Sequence, residues 1–313
     1  MLHIKISGID QLNAKIESKL KSISTIEYVK ITSEERLKDA LNSCDIFWFR
    51  LNHKLTIDVL TNVRCKYIIC AVTGLDHIDL QTCKENGITV ISLKGEFEFL
   101  KEIRATAEHT WGLLLSLIRK TNSANIHVKK GNWDRTLFQG TELYKKKLGI
   151  FGLGRLGEIV ASYGKAFGME IYYFDIQEKN RDSKFIKCDS IESLLSSADI
   201  LSIHLPYHPN EDPILNDSHF KVMKKGVCIV NTSRGGLIDE IALVKAMEEG
   251  IVNGYAADVL FGEPEIHENP IYKYSKENDN VLITPHIGGN TIESIEKTEE
   301  FIANKFLNIL LEK

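Results

Sequence analysis

The sequence predicts an α/β protein with two doubly wound domains, each built on a parallel β-sheet. Its 313 residues suffice for two domains at about 150 residues each. Short apolar runs rich in isoleucine, valine and aromatic residues alternate with amphipathic segments along the chain. Such alternation is typical of parallel sheets that helices cover on both faces. It occurs twice, before and after one long helical pattern.

The first alternation occupies residues 1–100. Two helices are predicted there, over Glu34–Leu41 and Ile57–Val63. Ser33 and Thr56 are their expected N-caps, because a hydroxyl can accept hydrogen bonds from the unpaired amides of a first helical turn. Strands are predicted over His3–Ser7, Tyr28–Ile31, Ile46–Phe49, Tyr67–Val72 and Thr89–Leu93.

A long helix is predicted over Lys101–Lys120, where apolar residues recur at steps of three and four. The second alternation follows it. Its strands are predicted over Leu148–Gly152, Glu170–Asp175, Ile200–Leu205, Val227–Asn231, Gly254–Asp258 and Val281–Thr284. Its helices are predicted over Leu156–Phe167, Ile191–Ser197, Asp239–Glu249 and Thr291–Leu311.

Composition and charge exclude several classes of protein. Hydrophobic residues make up 43% and charged residues 26% of the chain, which is ordinary for a globular protein. The net charge of −4 argues against nucleic acid or an anionic membrane as a partner. The six cysteines include no Cys-x-x-Cys pair, so we expect reduced thiols and no metal site. No secretory signal or bilayer-length apolar stretch is present, so the expected location is the cytoplasm.

A glycine-rich turn lies between a predicted strand and a predicted helix. It reads Gly152-Leu153-Gly154-Arg155-Leu156-Gly157, the Gly-x-Gly-x-x-Gly pattern in its required context. Gly152 permits a tight turn, Gly154 lets a pyrophosphate approach the backbone, and Gly157 lets the helix pack against the strand. The amides at the helix N-terminus are suited to bind phosphates. The pattern predicts a dinucleotide site.

An acidic residue ends the next predicted strand. Asp175 can accept hydrogen bonds from the adenosine ribose and repel a 2′-phosphate, and no arginine immediately follows it. This favours NAD over NADP. Taken alone, Asp175 also suits an ordinary turn. No Gly-x-x-x-x-Gly-Lys-Ser/Thr motif occurs, which argues against P-loop phosphotransfer.

Three later predicted strands each end in residues that could carry out chemistry. Arg234 can clamp a substrate carboxylate, His286 can exchange a proton near neutral pH, and Glu263 can hold the imidazolium. The carboxyl ends of strands in an open α/β sheet form its ligand crevice. Taken alone, each of these residues could equally be a surface charge or a loop residue without a catalytic role. His204, His208, His219 and His267 lie in no such motif and are expected to be structural or exposed.

Four motifs follow one another in the chain: Gly152–Gly157 with Asp175, Asn231–Gly236 with Ile238-Asp239-Glu240, Ala257-Asp258-Val259, and Pro285-His286-Ile287-Gly288-Gly289. With these motifs in this order, the sequence resembles the D-isomer-specific 2-hydroxyacid dehydrogenases over nearly its whole length. The resemblance implies that Arg234 binds the substrate carboxylate, that His286 is the acid/base and that Glu263 is its partner. It implies NAD as cofactor and reversible hydride transfer as the reaction. The implied cofactor-binding residues are Gly152, Gly154, Arg155, Leu156, Gly157, Asp175, Leu205, Pro206, Thr232, Ser233, Asp258 and Gly288, with Asp258 on the nicotinamide amide.

Further similarity lies in Gly131-Asn132-Trp133-Asp134-Arg135, in Gly140-Thr141-Glu142-Leu143 and in Arg50 after the strand Ile46–Phe49. On these residues, the sequence most resembles the 3-phosphoglycerate dehydrogenases within the family. The resemblance implies that Val72, Thr73 and Gly74 present backbone amides to the substrate carboxylate, and that Arg50 and Arg135 bind its phosphate. The chain departs from the pattern at Cys70, where a third arginine is usual.

The resemblance also implies a domain arrangement and an assembly. A Rossmann NAD domain is expected over 101–287, and a smaller flavodoxin-like substrate domain over 1–100 and 288–313. No C-terminal regulatory domain is expected after Lys313. A homodimer is expected through the long helix and the following loop, with Trp111 and Trp133 as candidate contacts, although Trp111 suits the core equally well.

Several alternatives stay open at this point. A glyoxylate or hydroxypyruvate reductase has the same motifs. A non-enzymatic NAD sensor, such as a transcriptional co-repressor of this fold, can also retain them. Formate dehydrogenases of the family carry glutamine where Glu263 stands, which argues against that activity. A methyltransferase also uses a glycine-rich turn, but the later motifs are foreign to it.

Overall fold

The computed structural model describes residues 1–177 and 185–311. The chain divides into two compact units. Unit 1 comprises Met1–Glu102 and the segment from Thr291 onward, and unit 2 comprises Ile103–Asn290. Each unit has one sheet in which every strand pairing is parallel. The predicted fold class is confirmed.

Unit 1 contains a five-stranded sheet in the order β2-β1-β3-β4-β5. This is the flavodoxin-like order, in which the chain reverses direction between β1 and β3. Phe47, Trp48 and Phe49 on β3 are all fully buried, because helices cover both faces of the sheet. The strands are β1 (Leu2–Ser7), β2 (Ser24–Val29), β3 (Ile46–Phe49), β4 (Tyr67–Cys70) and β5 (Thr89–Ser92). The helices are α1 (Ala14–Lys21), α2 (Glu34–Asn42), α3 (Ile57–Leu60), α4 (Leu80–Glu85), α5 (Phe97–Leu100) and the C-terminal α13 (Ile292–Leu311).

Unit 2 contains a seven-stranded sheet in the order β12-β11-β10-β9-β6-β7-β8. Counted from β6, this is the Rossmann order 3-2-1-4-5-6 with one further strand, and it reverses between β6 and β9. The strands are β6 (Lys147–Phe151), β7 (Glu170–Phe174), β8 (Ile186–Lys187), β9 (Ile200–Ile203), β10 (Val227–Asn231), β11 (Val252–Ala257) and β12 (Val281–Ile283). The helices are α6 (Ala105–Arg119), α7 (Thr121–Lys129), α8 (Arg155–Ala166), α9 (Ile191–Ser197), α10 (Asp217–Val222), α11 (Glu240–Glu248) and α12 (Pro270–Ser275), with 3-10 turns at Arg135–Phe138 and Gly235–Leu237.

Three local predictions were wrong. The helix predicted over Lys101–Lys120 is two helices, α5 and α6, because the chain leaves unit 1 between them. Strand β2 begins at Ser24 rather than Tyr28, since this edge strand alternates exposed and partly buried residues and has no apolar run at its start. Thr56 precedes α3 but makes no side-chain cap bond, whereas Ser33 caps α2 as predicted.

Candidate active site

The glycine-rich turn joins β6 to α8 in unit 2. A Cβ on Gly157 would lie 2.2 Å from the carbonyl oxygen of Gly152, and a Cβ on Gly152 would lie 2.5 Å from that of His204. Gly152 also has a φ of +92°, which favours glycine. By contrast, a Cβ on Gly154 would meet nothing within 4 Å, so this backbone borders open space at the N-terminus of α8. The turn therefore fits a phosphate group on its amides.

The next predicted cofactor-binding residues lie on α8 and directly after β7, the two elements that follow the glycine-rich turn. Arg155 and Leu156 form the first turn of α8, where Arg155 donates from Nη1 to the carbonyl oxygen of Ile103 at 3.3 Å. Asp175 follows β7, and its Oδ1 accepts a hydrogen bond from the amide of Gln177 at 2.8 Å. The second carboxylate oxygen of Asp175 can still accept from a ribose hydroxyl.

Beyond β9, the chain approaches the glycine turn. Leu205 Cδ2 would lie 2.9 Å from a Cβ on Gly152, and Pro206 beside it is exposed. His204 bonds Ser202 Oγ through Nε2 at 2.7 Å, and burial lowers its pKa to about 3. A neutral, buried ring agrees with a structural role for this histidine.

The predicted acid/base pair is brought together at the carboxyl edge of the sheet. His286 Nδ1 lies 2.5 Å from Glu263 Oε1. Glu263 Oε2 also accepts a hydrogen bond from the amide of Leu260 at 3.2 Å, which fixes the carboxylate on its own turn. Both side chains are about one-quarter to one-third exposed. With Nδ1 held by Glu263, Nε2 is the ring nitrogen that could exchange a proton with another group.

Arg234 stands on the loop that follows β10, the strand beside β11. Asn231 shapes this loop, because its Nδ2 donates to the carbonyl oxygen of Arg234 at 2.9 Å and its Oδ1 accepts from the amide of Ser233 at 3.0 Å. A Cβ on Gly235 would lie 2.1 Å from the amide nitrogen of Phe261. Glycine at this position therefore lets the Arg234 loop pack directly on the turn that carries Glu263.

The side chains of Thr232 and Ser233 are already bonded within the protein. Thr232 Oγ1 lies 2.8 Å from Thr110 Oγ1, and Ser233 Oγ donates to the carbonyl oxygen of Ile203 at 2.8 Å. Both residues are less than one-tenth exposed. Contacts with a cofactor would therefore come mainly from their backbone.

Asp258 organises the turn that carries His286. Its Oδ1 accepts from Thr284 Oγ1 at 2.6 Å and from the amide of Ile287 at 2.8 Å, and its Oδ2 accepts from the amide of Gly288 at 2.7 Å. Burial raises the pKa of this carboxyl, but these donors and His109 more than offset it, so the net shift is downward. An ionised Asp258 thus holds the His286 turn, in which His286 itself has a φ of 54°.

Sequence reasoning missed His109 on α6. Its Nε2 lies 2.9 Å from Thr284 Oγ1 and 3.2 Å from Asp258 Oδ1. It belongs to no motif, and only the packing of α6 on the strand ends could reveal it. His109 therefore joins the long helix to the His286 turn.

In unit 1, Arg50 follows β3 next to the reversal point of the sheet. Its Nη1 lies 3.7 Å from Oε1 of Glu299, a carboxylate on α13 that is only 3% exposed. Trp48 Nε1 donates to the other oxygen of Glu299 at 2.8 Å. Burial raises the pKa of Glu299 to about 7, although Arg50 opposes this. Glu299 is a second residue that sequence reasoning missed.

The predicted carboxylate loop follows β4. Thr73 is exposed, and among the described residues no acceptor is found for the amides of Thr73 and Gly74. The Val72 amide instead bonds the carbonyl oxygen of Cys70 at 2.8 Å. Cys70 is fully buried, and burial raises the pKa of its thiol, so this position supplies no charge. Arg135 is exposed at the start of a 3-10 turn in unit 2.

Two further findings concern the described residues as a set. No helix within residues 1–177 and 185–311 is long and apolar enough to cross a membrane. In the same part of the chain, no group of three or more potential ligands is arranged to hold a metal ion.

Comparison with known proteins supplies the family. The profile described as "D-isomer specific 2-hydroxyacid dehydrogenase, NAD binding domain" matches residues 111–288. The D-3-phosphoglycerate dehydrogenase of Methanocaldococcus jannaschii is 34% identical over 311 residues, which cover 98% of this chain and 57% of that protein. The enzyme of the same name from Bacillus subtilis is 36% identical over 260 residues, covering 82% and 48% respectively. The chain therefore spans about half the length of these curated relatives.

Solved structures give the same result. The D-lactate dehydrogenase of Aquifex aeolicus, crystallised with NAD and lactic acid, aligns with a TM-score of 0.80 and 28% identity, covering 99% of this chain and 96% of that one. The family profile alone accounts for more than half of the chain. The protein belongs to the D-isomer-specific 2-hydroxyacid dehydrogenase family, and residues 111–288 are its NAD-binding domain.

Proposed function

We propose that the protein is an NAD-dependent dehydrogenase that interconverts a D-2-hydroxy acid and its 2-oxo acid. The observation that carries this proposal is the 2.5 Å contact between His286 Nδ1 and Glu263 Oε1. The turn that bears Glu263 is packed on the loop that bears Arg234. An acid/base and a carboxylate clamp on neighbouring strand ends suit a substrate with a hydroxyl next to a carboxylate.

Each residue has a definite task in this reaction. NAD, held by the glycine-rich turn and Asp175, would supply the hydride acceptor for oxidation of the substrate and, in its reduced form, the hydride donor for the reverse reaction. His286 Nε2 removes the hydroxyl proton during oxidation and delivers a proton to the forming alkoxide during reduction. Glu263 stabilises the imidazolium that arises, and Arg234 holds the carboxylate and the developing charge.

The same chain supplies the cofactor contacts. Amides of the first turn of α8, next to Gly154, would bind the pyrophosphate, because they border open space at a helix N-terminus. Asp175 would hold the adenosine ribose and disfavour a 2′-phosphate. Asp258 would contribute to nicotinamide binding chiefly by holding the turn of His286, since its oxygens already accept several hydrogen bonds.

For the substrate, we propose 3-phosphoglycerate and its 2-oxo product, as named for the curated relatives, with Arg50 and Arg135 on the phosphate and the Thr73 and Gly74 amides on the carboxylate. A second candidate is a smaller acid of the glyoxylate or hydroxypyruvate type. The Arg50–Glu299 ion pair favours this second candidate, because a buried carboxylate offsets the charge that a phosphate would need. The neutral Cys70 favours it also.

The test is to follow NADH oxidation with 3-phosphohydroxypyruvate, hydroxypyruvate and glyoxylate at matched concentrations, with NADPH as the control cofactor. A strong preference for the phosphorylated acid would establish the first candidate. Preference for the smaller acids would establish the second. Measurable NADH binding without turnover of any of these three acids would refute both substrate candidates and point to another 2-oxo acid or to an NAD-sensing role.

We also propose a homodimer whose interface includes the exposed segment after α6. Helix α7 has no buried residue, and Trp133 is 89% exposed. Trp111, by contrast, is buried and stacks on Phe167 with ring centroids 4.7 Å apart, so it is a core residue. Large exposed aromatic residues typically mark interfaces. Gel filtration should give the mass of a dimer, and Trp133→Ser should shift it toward that of a monomer.

The place of action and the partners follow from composition. We propose a cytoplasmic location, because all six cysteines are free, which suits a reducing compartment. We propose a small carboxylate as the partner and no nucleic acid, because the chain carries a net charge of −4.

A further inference from the structure

The turn that carries Glu263 has little apolar anchoring. Leu260 is buried, but the side chain of Phe261 is 61% exposed and Gly262 has a φ of +84°. Glu263 nevertheless has to meet Nδ1 of His286 within hydrogen-bond distance. Some other interaction must fix the backbone between Leu260 and Glu263.

That interaction comes from two buried polar side chains. Glu240 is the first residue of α11 and is only 6% exposed, and its Oε1 accepts a hydrogen bond from the amide of Phe261 at 3.0 Å. Asn269, which is also 6% exposed, donates from Nδ2 to the carbonyl oxygen of Phe261 at 3.0 Å and to Oε2 of Glu240. The backbone of Phe261 is therefore held on both sides of its Cα, through its N–H and through its C=O.

The orientation of Asn269 is fixed independently. Its Oδ1 caps helix α12 by accepting from the amides of Ile271 and Tyr272 at 2.9 and 3.1 Å. Nδ2 must therefore face Glu240 and Phe261. As a result, both oxygens of Glu240 face hydrogen-bond donors, and only a carboxylate can accept from both without presenting a proton to one of them.

We call Glu240 and Asn269 the Phe261 clamp. The amides that bond Glu263 and Glu240 belong to consecutive residues. Glu263 accepts from the amide of Leu260, and Glu240 accepts from the next amide, that of Phe261. Burial and the neighbouring carboxylates of Glu263 and Asp239 raise the pKa of Glu240 to about 7, and the donors Phe261 and Asn269 oppose this shift. The hydroxyl of Tyr255 is the other titratable group near Glu240.

We propose that Glu240, together with Asn269, is a positioning residue for the proposed reaction, which fixes the Leu260–Glu263 turn so that Glu263 stays bonded to His286. The proposal rests on the proposed function for the task of Glu263 and His286. It assigns Glu240 no contact with substrate. Its effect on turnover passes entirely through Glu263.

The test is a double-mutant cycle with Glu240→Gln and Glu263→Gln. The glutamine side chain has an NH₂ group in place of one carboxylate oxygen, and this group would face a donor, either the Phe261 amide or Asn269 Nδ2. One hydrogen bond of the Phe261 clamp is therefore lost. Glu240→Gln should lower kcat about 10- to 100-fold, the usual effect of a hydrogen bond to a charged group, with the KM for NADH unchanged. Because both residues act through one contact, Glu240→Gln should cost nothing further in the Glu263→Gln background.

Two more variants complete the design. Glu248→Gln removes an exposed carboxyl from the same helix and should leave kcat at the wild-type value. Asn269→Ser keeps an N-cap hydroxyl but loses the donor to Phe261, and it should reproduce the effect of Glu240→Gln if the latter fails to fold. Full turnover in both clamp variants, or equal losses in the wild-type and Glu263→Gln backgrounds, would overturn the proposal.

A second readout needs no turnover. Diethyl pyrocarbonate acylates a neutral imidazole nitrogen, so the reaction is run at an alkaline pH at which the imidazole is neutral in every variant. There, a carboxylate that accepts from Nδ1–H makes Nε2 more nucleophilic. Acylation of His286, followed by mass spectrometry of its peptide, should slow in Glu240→Gln to the rate of Glu263→Gln, and it should not slow in Glu248→Gln. If the wild-type protein turns over no 2-oxo acid but this pattern is seen, the proposed function fails and the positioning role stands. An unchanged rate in Glu240→Gln would refute the role itself.

Discussion

Replacing Glu299 by Gln should change how the stability of unit 1 depends on pH. Glu299 is 3% exposed, and within residues 1–177 and 185–311 its charge is met only by the Trp48 N–H at 2.8 Å and by Arg50 at 3.7 Å. Its Oε1 has no hydrogen-bond partner among the described residues. Burying a carboxylate so sparsely bonded is costly, and this cost raises its pKa to about 7 from an ordinary 4.5.

The sign and size follow from proton linkage. Between pH 4.5 and pH 7 the folded protein keeps a proton on Glu299 that the unfolded chain has released, so the stability falls as the pH rises. The stability that the protonated Glu299 contributes is fully present below pH 4.5 and fully lost above pH 7. The pKa difference of 2.5, at about 1.4 kcal/mol for each pKa unit, corresponds to about 3 kcal/mol. Glutamine is uncharged at every pH and escapes this loss.

Urea unfolding near pH 5 and near pH 8 measures the effect. Trp48 is the only tryptophan of unit 1, so in a background that carries Trp111→Phe and Trp133→Phe the tryptophan fluorescence reports on the environment of Glu299. The advantage of Glu299→Gln over the wild type should grow by about 2 to 3 kcal/mol between the two pH values. Glu296→Gln, which removes an exposed carboxyl from the same helix, should show no such growth. If the curves for wild type and Glu299→Gln stay parallel, Glu299 is not a charge buried at a cost.

Three other substitutions test the site in unit 2. His286→Ala should lower turnover by about 10²- to 10⁴-fold, the usual loss of a general acid/base, while NADH binding measured by fluorescence is kept; unchanged turnover would refute its role. Gly157→Ala should abolish NADH binding or folding, because its Cβ would lie 2.2 Å from the carbonyl oxygen of Gly152; normal binding affinity would contradict this. Asp175→Ala should narrow the preference for NADH over NADPH, since it removes the carboxylate that repels a 2′-phosphate; an unchanged ratio of kcat/KM values would show that other groups select the cofactor.

The sequence predicted the elements whose local pattern and tertiary role agree. Strands β3 and β10 and helix α9 have the predicted bounds, because buried β-branched and aromatic runs or a capped apolar stripe mark them clearly. Helix α7 could not be predicted in this way, since it has no buried residue and hence no apolar stripe. Helix α1 was missed because it has only eight residues, of which just two, Ile16 and Leu20, are buried.

The candidate site shows the same division. Arg234, Glu263 and His286 could be identified because each lies in a motif at a strand end, where chain order and sheet order coincide. Glu299 and His109 could not, because what distinguishes them is a contact with a partner far away in the chain. Glu240 lies in one of the motifs, but its contacts with Phe261 and Asn269 could not be predicted, for the same reason. Trp48 and Glu299, for example, are 251 residues apart. No local pattern predicts such a contact, and the sequence alone does not distinguish a buried carboxylate from an exposed one.

Asp258 illustrates how the structure adds a second task to a motif residue. The family resemblance implies a contact with the nicotinamide amide, which would make Asp258 a ligand for the cofactor. Its carboxylate, however, accepts hydrogen bonds from Thr284 and from the amides of Ile287 and Gly288, and its backbone carbonyl accepts one from the amide of His286 at 2.9 Å. Together these hydrogen bonds fix the backbone on both sides of His286 to a single residue, Asp258. Asp258 therefore stabilises this turn in the absence of a cofactor, and the position of the His286 imidazole depends on the backbone that Asp258 holds.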